Sequence, residues 1–248
     1  MRTQYKCSLW QRIKDSITAP FHSDNTNYIN RLRRLGVKVG KGVVFRDAKS
    51  VTIDLTRPSL VEIGDNVDIN VNFTIMTHDF VSGVFLNLYK EMVNSSGRVK
   101  LGNNIYIGRD VTILKGVTVG DNCVIGLGSV VTSDIPSGSV AVGTPARVIC
   151  TIEEYFKRRK RCSMEEAFDY ARSIRENFGR EPQVEDFWEE FPLFISGGEV
   201  DRYPTLPIKR QLGTAYEHYR QHHTAPFKSF EEFLAAAFAS KKREQTSL

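Results

Sequence analysis

The stretch NFTIMTHDFV, Asn72 to Val81, carries the side chains in the middle of the chain that are best suited to acid–base chemistry. His78 is the one histidine of five in this region; the others are His22, His218, His222 and His223. An imidazole changes charge near neutral pH and can accept a proton from a hydroxyl. Whether His78 does such chemistry or has a structural role depends on the elements that position it.

An aliphatic residue returns every six positions on both sides of this stretch, and a second apolar or small residue follows four positions after it. Neither the helical period nor the strand alternation gives a period of six. Frequent Gly, Asn and Asp between short β-branched runs indicate regularly spaced turns. The hexads begin at Val39, Ile63, Ile69, Leu101, Ile107, Ile113, Val119, Ile125 and Val131.

This repeat predicts a mainly β fold, a parallel β-helix in which each hexad forms one side of a triangular prism and three hexads make a coil. The pattern breaks at an insertion, residues 79–98, whose apolar residues predict packing against a neighbouring subunit. His78 lies where the chain enters this insertion. About four coils are expected, over residues 39–56, 63–78, 101–118 and 119–136.

The segment Val99 to Ile149 resembles the C-terminal signature of the left-handed β-helix, hexapeptide-repeat acyltransferases. The closer resemblance is to the galactoside, maltose and xenobiotic acetyltransferase branch, which includes polysaccharide-biosynthesis O-acetyltransferases. It covers roughly residues 37–150. It implies acetyl-CoA as co-substrate, no metal, and a homotrimer whose three sites lie in clefts between prisms, completed by the insertion.

The resemblance also implies roles for residues near His78. The stretch IMTHD is similar to the neighbourhood of the family's catalytic histidine, so His78 is the predicted general base. Asn72 matches an asparagine that faces the acceptor, although a turn asparagine is the alternative. Asp79 is a second acceptor-binding candidate and could instead orient the imidazole, a role that a backbone carbonyl could also fill.

For acetyl-CoA, the resemblance implies a groove beside the last coils in which backbone groups bind the pantetheine arm. A backbone amide at Arg109 is implied as the oxyanion donor, although the family usually has a small residue there. The implied pantetheine contacts are Gly126, Leu127, Thr132 and Ser133.

The element GTPAR, Gly143 to Arg147, resembles the family's GNPA[KR] motif. The resemblance implies that Arg147 contacts a phosphate of CoA, because a guanidinium offers forked donors to phosphate. The alternative is a turn that closes the last coil and leaves the arginine in solvent.

Two flanking regions complete the predicted organisation. Residues 1–36 are predicted to form an N-terminal helical cap on the open end of the first coil, with contact to a membrane surface as the alternative. Residues 37–150 form the β-helix domain. Residues 151–248 are predicted to form a mostly helical extension that covers the acceptor cleft, extends the trimer contact or binds a partner. The apolar cap positions are Leu9, Trp10, Ile13 and Ile17.

Two capping boxes in the extension predict helix starts, at Ser163 with Glu166 and at Ser229 with Glu232. Gly179 is predicted to end the first of these helices.

The composition is that of a globular protein, with 248 residues, 41% apolar and 25% charged residues, a net charge of +5 and a pI near 9.0. No nucleic-acid motif, secretory signal or spanning segment is evident, and four scattered cysteines fit a reducing cytosol. We predict a cytoplasmic, acetyl-CoA-dependent O-acetyltransferase acting on a hydroxyl of a saccharide or related acceptor. The alternatives are an N-acetyltransferase on an amino (nucleotide-)sugar and a non-catalytic β-helix scaffold.

Overall fold

The computed structural model describes residues 21–245, which form two compact units divided in sequence between Phe156 and Lys157. The first unit contains helix α1, the β-strands and a short helix α2. Its elements are α1 (Phe21–Arg34), β1 (Lys38–Val39), β2 (Val44–Phe45), β3 (Thr52–Ile53), β4 (Val61–Ile63), β5 (Val67–Ile69), β6 (Thr74–Ile75), α2 (Ser82–Tyr89), β7 (Val99–Leu101), β8 (Ile105–Ile107), β9 (Thr112–Ile113), β10 (Thr118–Val119), β11 (Val124–Ile125), β12 (Val130–Val131), β13 (Ser139–Gly143) and β14 (Ala146–Thr151).

The strands form three sheets that make the sides of a prism. Sheet 1 holds β1, β4, β7 and β10; sheet 2 holds β2, β5, β8, β11, β13 and β14; sheet 3 holds β3, β6, β9 and β12. Successive strands move from one sheet to the next, and strands of neighbouring coils pair in parallel. The antiparallel pair β13–β14 ends the stack. The predicted parallel β-helix of about four coils is confirmed.

The six-residue period arises because its apolar positions point into the prism. In sheet 1, Ile63 and Leu101 are direct partners, as are Leu101 and Val119, and each is 1% exposed or less. Removing such side chains from water is worth about 25 cal/mol per Å² of apolar surface. Each coil therefore stabilises the coil stacked on it.

The turns between sheets 1 and 2 form a column that we call the asparagine edge: Asn66, Asn104 and Asn122, with φ of 55°, 55° and 57°. Asparagine tolerates this left-handed conformation, and the Asn104 side-chain amide donates to Asn122 Oδ1 at 2.7 Å. A Cβ on Gly64 would lie 2.4 Å from the carbonyl oxygen of Gly102 in the next coil. Close stacking of coils thus requires glycine at the start of this turn.

The insertion leaves the prism after β6 and returns at β7. Its base is held by Gly97 N–H donating to Thr77 O at 2.9 Å and by Asp79 N–H donating to Ser95 O at 3.3 Å. Helix α2 lies within it and has no buried residue. Packing of its apolar side chains against a neighbouring subunit stays a prediction. The exposed ones include Val84, Leu86, Leu88, Tyr89 and Met92.

Helix α1 places Ile29 and Leu32 in the same apolar core as the coils. The predicted cap positions Leu9, Trp10, Ile13 and Ile17 lie outside the described residues. No helix within residues 21–245 is both long and apolar enough to cross a membrane.

The second unit is helical and has its own core. The chain enters it along α3 (Ile152–Phe178) and continues through α4 (Ile208–Leu212), α5 (Tyr216–His222) and α6 (Phe230–Gln245). The predicted helical extension is thus confirmed. The predicted start of its last helix is also correct, because Ser229 Oγ accepts the Glu232 N–H at 3.2 Å. The largest fully buried side chains of this core are Phe187, Phe191, Phe194 and Phe233.

The predicted start of the first long helix is wrong. Helix α3 begins at Ile152, where Thr151 Oγ1 accepts the Glu154 N–H at 3.1 Å and Glu154 Oε2 accepts the Thr151 N–H at 2.8 Å. Ser163 lies inside the helix and donates to the Lys160 carbonyl at 3.2 Å. The capping-box pattern occurs both at Thr151 with Glu154 and at Ser163 with Glu166, and the helix starts at the earlier of the two. Gly179 follows its end with φ of 61°, as predicted.

Candidate active site

His78 lies just beyond β6, where the chain leaves sheet 3. Strand β3 is the parallel partner of β6, and Asp54 at its end donates its N–H to Ile75 O at 3.0 Å. This pairing brings Asp54 beside Thr77 and His78, although more than twenty residues separate them in sequence. The three side chains are buried, with exposures of 8%, 0% and 6% for Asp54, Thr77 and His78.

The Asp54 carboxylate accepts hydrogen bonds from three residues. Oδ2 accepts from His78 Nδ1, Thr77 Oγ1 and the Thr77 N–H, the last at 3.1 Å. Oδ1 accepts from the Thr56 hydroxyl at 2.7 Å and the Thr56 N–H at 3.1 Å. A buried carboxylate with this many donors is compensated for its lost hydration.

Burial alone would raise the pKa of Asp54. The hydrogen bonds from Thr77, Thr56 and His78 outweigh burial and hold the pKa of this carboxyl well below its usual range. Asp54 is therefore ionised at neutral pH and accepts the proton on His78 Nδ1. This hydrogen bond occupies Nδ1 and leaves Nε2 as the second nitrogen of the imidazole ring.

The Asp79 carboxylate makes its hydrogen bonds to groups other than His78. Its carboxylate accepts from the Lys115 ammonium and from the Ser95 hydroxyl, the latter at 2.9 Å. The hydrogen bond from Lys115, then that from Ser95, lower the pKa of Asp79 to about 2. Asp79 thus anchors the base of the insertion to the next coil, and the carboxylate that contacts the imidazole is that of Asp54.

Two further edges of the prism carry the other predicted site residues. The turns from sheet 2 to sheet 3, which include Asn72, Arg109 and Leu127, form the arginine edge. The turns from sheet 3 to the next coil, which include His78 and Thr132, form the histidine edge. A side of the prism separates the two edges within one chain.

The structure does not bring Asn72 to His78 within the chain. The two residues lie on either side of β6, six positions apart, which corresponds to roughly 20 Å of extended chain. The Asn72 side-chain amide donates to Asp110 Oδ1 at 2.8 Å, and its backbone has a φ of 58°. Asn72 fits the turn-asparagine interpretation, and its acceptor role stays a prediction.

The residues predicted to bind acetyl-CoA are divided between these edges. Thr132 and Ser133 are exposed on the histidine edge. Arg109 and Leu127 are exposed on the arginine edge, and Leu127 is 77% exposed. Arg147 lies in β14 opposite Val142, close to the arginine edge at the end of the stack.

The backbone groups of Gly126 and Arg109 differ in whether they already make hydrogen bonds within the chain. Gly126 N–H donates to Ala141 O at 2.9 Å, and Gly126 O accepts the Ser129 hydroxyl at 2.7 Å. The Arg109 carbonyl accepts the Gly128 N–H at 2.8 Å, whereas the Arg109 N–H meets no acceptor within residues 21–245. Arg109 thus offers a free amide, and Gly126 offers none.

Asp54 was not predicted from the sequence. The sequence shows Asp54 only as an acidic residue in the stretch TIDLT. The pairing of β3 with β6 is what places it next to His78. The first coil departs from the six-residue period, with Phe45 and Ile53 as its inward positions, so counting hexads does not align Asp54 with the coil above.

Comparison with known proteins shows to which family the chain belongs. The model of the bacterial transferase hexapeptide (six repeats) matches residues 98–133. A Bacillus subtilis protein named "Putative acetyltransferase YvoF" is 35% identical over 127 residues, which are 51% of this chain and 67% of the relative. The chain belongs to the hexapeptide-repeat acetyltransferases. The predicted family and enzyme class, an acyltransferase with a left-handed parallel β-helix, are confirmed.

Two other relatives of this hexapeptide-repeat acetyltransferase each match about half of the chain or less. Escherichia coli galactoside O-acetyltransferase is 46% identical over 107 residues, 40% of this chain and 51% of the relative. Staphylococcus aureus protein CapG is 36% identical over 126 residues, 51% of this chain and 72% of the relative. The chain therefore spans about half the length of the galactoside O-acetyltransferase.

Proposed function

We propose that this acetyltransferase moves an acetyl group from acetyl-CoA to a hydroxyl of a saccharide or related acceptor, with His78 as general base. The observation that carries the proposal is the buried Asp54–His78 pair at the histidine edge. The name of the galactoside O-acetyltransferase relative supports a sugar hydroxyl as the acceptor group.

In the proposed reaction, Nδ1 of His78 is held by Asp54 and Nε2 acts as the base. Nε2 takes the proton of the acceptor hydroxyl while that oxygen attacks the thioester carbonyl. The charge on Asp54 stabilises the imidazolium that forms. Collapse of the tetrahedral intermediate breaks the carbon–sulfur bond, and Nε2–H returns the proton to the CoA thiolate. The products are an O-acetyl ester and free CoA.

The developing oxyanion requires a hydrogen-bond donor that is aimed at it before the reaction. The Arg109 N–H is our candidate, because it meets no acceptor within the described chain. For acetyl-CoA itself we propose Leu127, Thr132 and Ser133 along the pantetheine arm and Arg147 at a phosphate. Gly126 is the weakest member of this predicted set, because both of its backbone groups are already bonded.

We infer a homotrimer from the separation of these groups. His78 and Arg109 lie on different edges of one prism, so a single chain does not hold both against one thioester. A cleft between two prisms would place the histidine edge of one subunit opposite the arginine edge of the next. Cyclic assemblies repeat such a cleft once per subunit.

The test is acetyl-CoA consumption by the purified chain with a panel of mono- and oligosaccharides. We expect His78→Ala to lower turnover at least about a hundredfold, the usual contribution of a general base. His218→Ala is the matched control, because His218 is a histidine of α5 in the second unit, and this variant should match the wild type. Equal turnover by wild type and His78→Ala would disprove the base assignment. Absence of acetyl-CoA binding would favour a non-catalytic scaffold.

A further inference from the structure

A groove of about 740 Å³ lies between α1 and residues 48–55 of the first coil. Its charged lining consists of Arg31 and Arg34 from the helix and Lys49 from the coil. Tyr28 lies beside Arg31, and Val51 and Leu55 add apolar surface. The groove therefore combines positive charge with an aromatic ring and aliphatic side chains.

The three cations of this groove have no anionic partner among the residues that the structure describes. All three are exposed, and none makes an ion pair with a residue of the described chain. Asp47 is close in sequence, but its carboxylate accepts the backbone N–H of Lys49, at 3.1 Å. Three cations around one concave surface, each without an ion pair in the described part of the chain, create a potential that attracts an anion.

The groove and the residue that contacts His78 share one short segment of the chain. Ile53 and Leu55 line it, and Asp54 between them holds the imidazole. Beyond them, the Arg57 guanidinium reaches Thr56 Oγ1 at 3.5 Å, and this hydroxyl lies 3.4 Å from His78 Nδ1. A ligand bound in the groove would thus lie against the strand that forms one side of the candidate active site.

We propose that this groove binds the phosphate of a phosphate-bearing saccharide and so selects an anionic acceptor for the acetyl transfer. A phosphate carries about two negative charges near neutral pH and accepts the forked donors of a guanidinium, so it matches three cations better than a single carboxylate does. The apolar wall and Tyr28 fit the uncharged face of a sugar. The inference rests on the proposed function, because it names the acceptor class of that same site.

The test is calorimetric titration of the full chain at low salt, without acetyl-CoA. The probes are glucose 1-phosphate, UDP-glucose and glucuronate, which separate a monophosphate, a diphosphate and a carboxylate. The variants are Arg31→Gln, Arg34→Gln and Lys49→Gln. Lys41→Gln is the matched control, because it removes the same charge from an exposed turn outside the groove.

We expect each groove variant to raise the Kd for glucose 1-phosphate about tenfold, the effect of losing one charge-assisted hydrogen bond. Lys41→Gln should leave it unchanged. UDP-glucose binding at least as tightly as glucose 1-phosphate would support a diphosphate-linked acceptor, and weaker binding would support a monophosphate. Glucuronate binding as tightly as glucose 1-phosphate would overturn the phosphate assignment. So would an equal loss in Lys41→Gln, or no binding of any probe to the wild type.

The same titrations with His78→Ala separate this inference from the proposed function. This variant should bind glucose 1-phosphate like the wild type while losing acetyl transfer. If the wild type binds the probe through the groove but transfers acetyl groups to no acceptor, the proposed function and the acceptor role fail while the anion site stands. If transfer to neutral sugars occurs without groove-dependent binding, only the inference drawn from the groove fails.

Discussion

In the proposed mechanism, the carboxylate of Asp54 keeps the proton of His78 on Nδ1. In Asp54→Asn the side chain keeps its shape but loses its charge, and its amide can donate to Nδ1, which places the proton on Nε2 and removes the base. We expect kcat to fall about 10²- to 10⁴-fold with little change in the KM for acetyl-CoA. Steady-state kinetics on an accepted sugar would measure this.

The control for this variant is Thr56→Val, which removes the hydroxyl that donates to Asp54 Oδ1 at 2.7 Å but keeps the carboxylate. It should lose about tenfold or less in kcat, because the charge that orients His78 remains. Equal losses in both variants would show that the network matters through packing and not through the charge of Asp54.

The pH dependence of the free energy of unfolding provides a second test, in which the wild type is compared with Asp54→Asn. The pKa of Asp54 in the folded chain lies below its ordinary value of 3.8, so its ionised form favours folding above that pH. This contribution is lost as the pH falls below about 4 towards the folded pKa. The difference in free energy of unfolding between wild type and Asp54→Asn should therefore shrink on acidification. A constant difference between pH 7 and pH 3 would contradict the ionised state of Asp54.

The sequence predicts one member of this pair and not the other, for a physical reason. His78 is recognisable because it is the only histidine within a regular repeat and lies where that repeat stops. Asp54 reaches His78 only through the register of β3 against β6. That register is hidden by the irregular first coil, so the acid cannot be aligned by counting residues.

At the scale of the elements, the six-residue period predicts the coils because every inward position repeats the same burial. Local sequence patterns predict the starts of helices less reliably. The capping-box pattern occurs at Thr151 with Glu154 and again at Ser163 with Glu166, and α3 begins at the first because β14 ends there. Helix α2 has no side-chain cap at Val81, so no sequence signal marks its start.

The stacking of coils makes a prediction for Gly64→Ala. The added Cβ would lie 2.4 Å from Gly102 O, so the backbone of two coils must separate. We expect a loss of about 1–3 kcal/mol in the free energy of unfolding, as for other overpacked sites. Urea unfolding would measure it.

Gly83→Ala is the matched control, because Gly83 lies in α2 and a Cβ there meets no atom within 4 Å. It should be neutral or stabilising by up to about 1 kcal/mol, since alanine is the better helix residue. Equal stability of the two variants would contradict the close approach of the coils at Gly64.

At the scale of the whole molecule, the placement of the site residues and the surface of the insertion favour the same assembly. The proposed base and the proposed oxyanion donor lie on different edges of one prism. The insertion begins at the histidine edge and carries exposed apolar side chains, including Leu88 at 66% and Met92 at 77% exposure. Several large apolar side chains exposed on one short segment are typical of an interface with another protein. A second copy that supplies its arginine edge would cover this surface and complete the site.

Leu88→Asp tests this assembly, because it places a charge where the proposed interface is apolar. We expect sedimentation velocity to show a shift from trimer to monomer, and acetyl transfer to fall with the trimer fraction, since each site needs two subunits. Asn87→Asp is the control: it introduces the same charge at the neighbouring exposed position of α2 without removing an apolar side chain. It should remain trimeric and active. A Leu88→Asp variant that sediments as a monomer with full activity would show that one chain holds the complete site, and the division of the site between two edges would then be wrong.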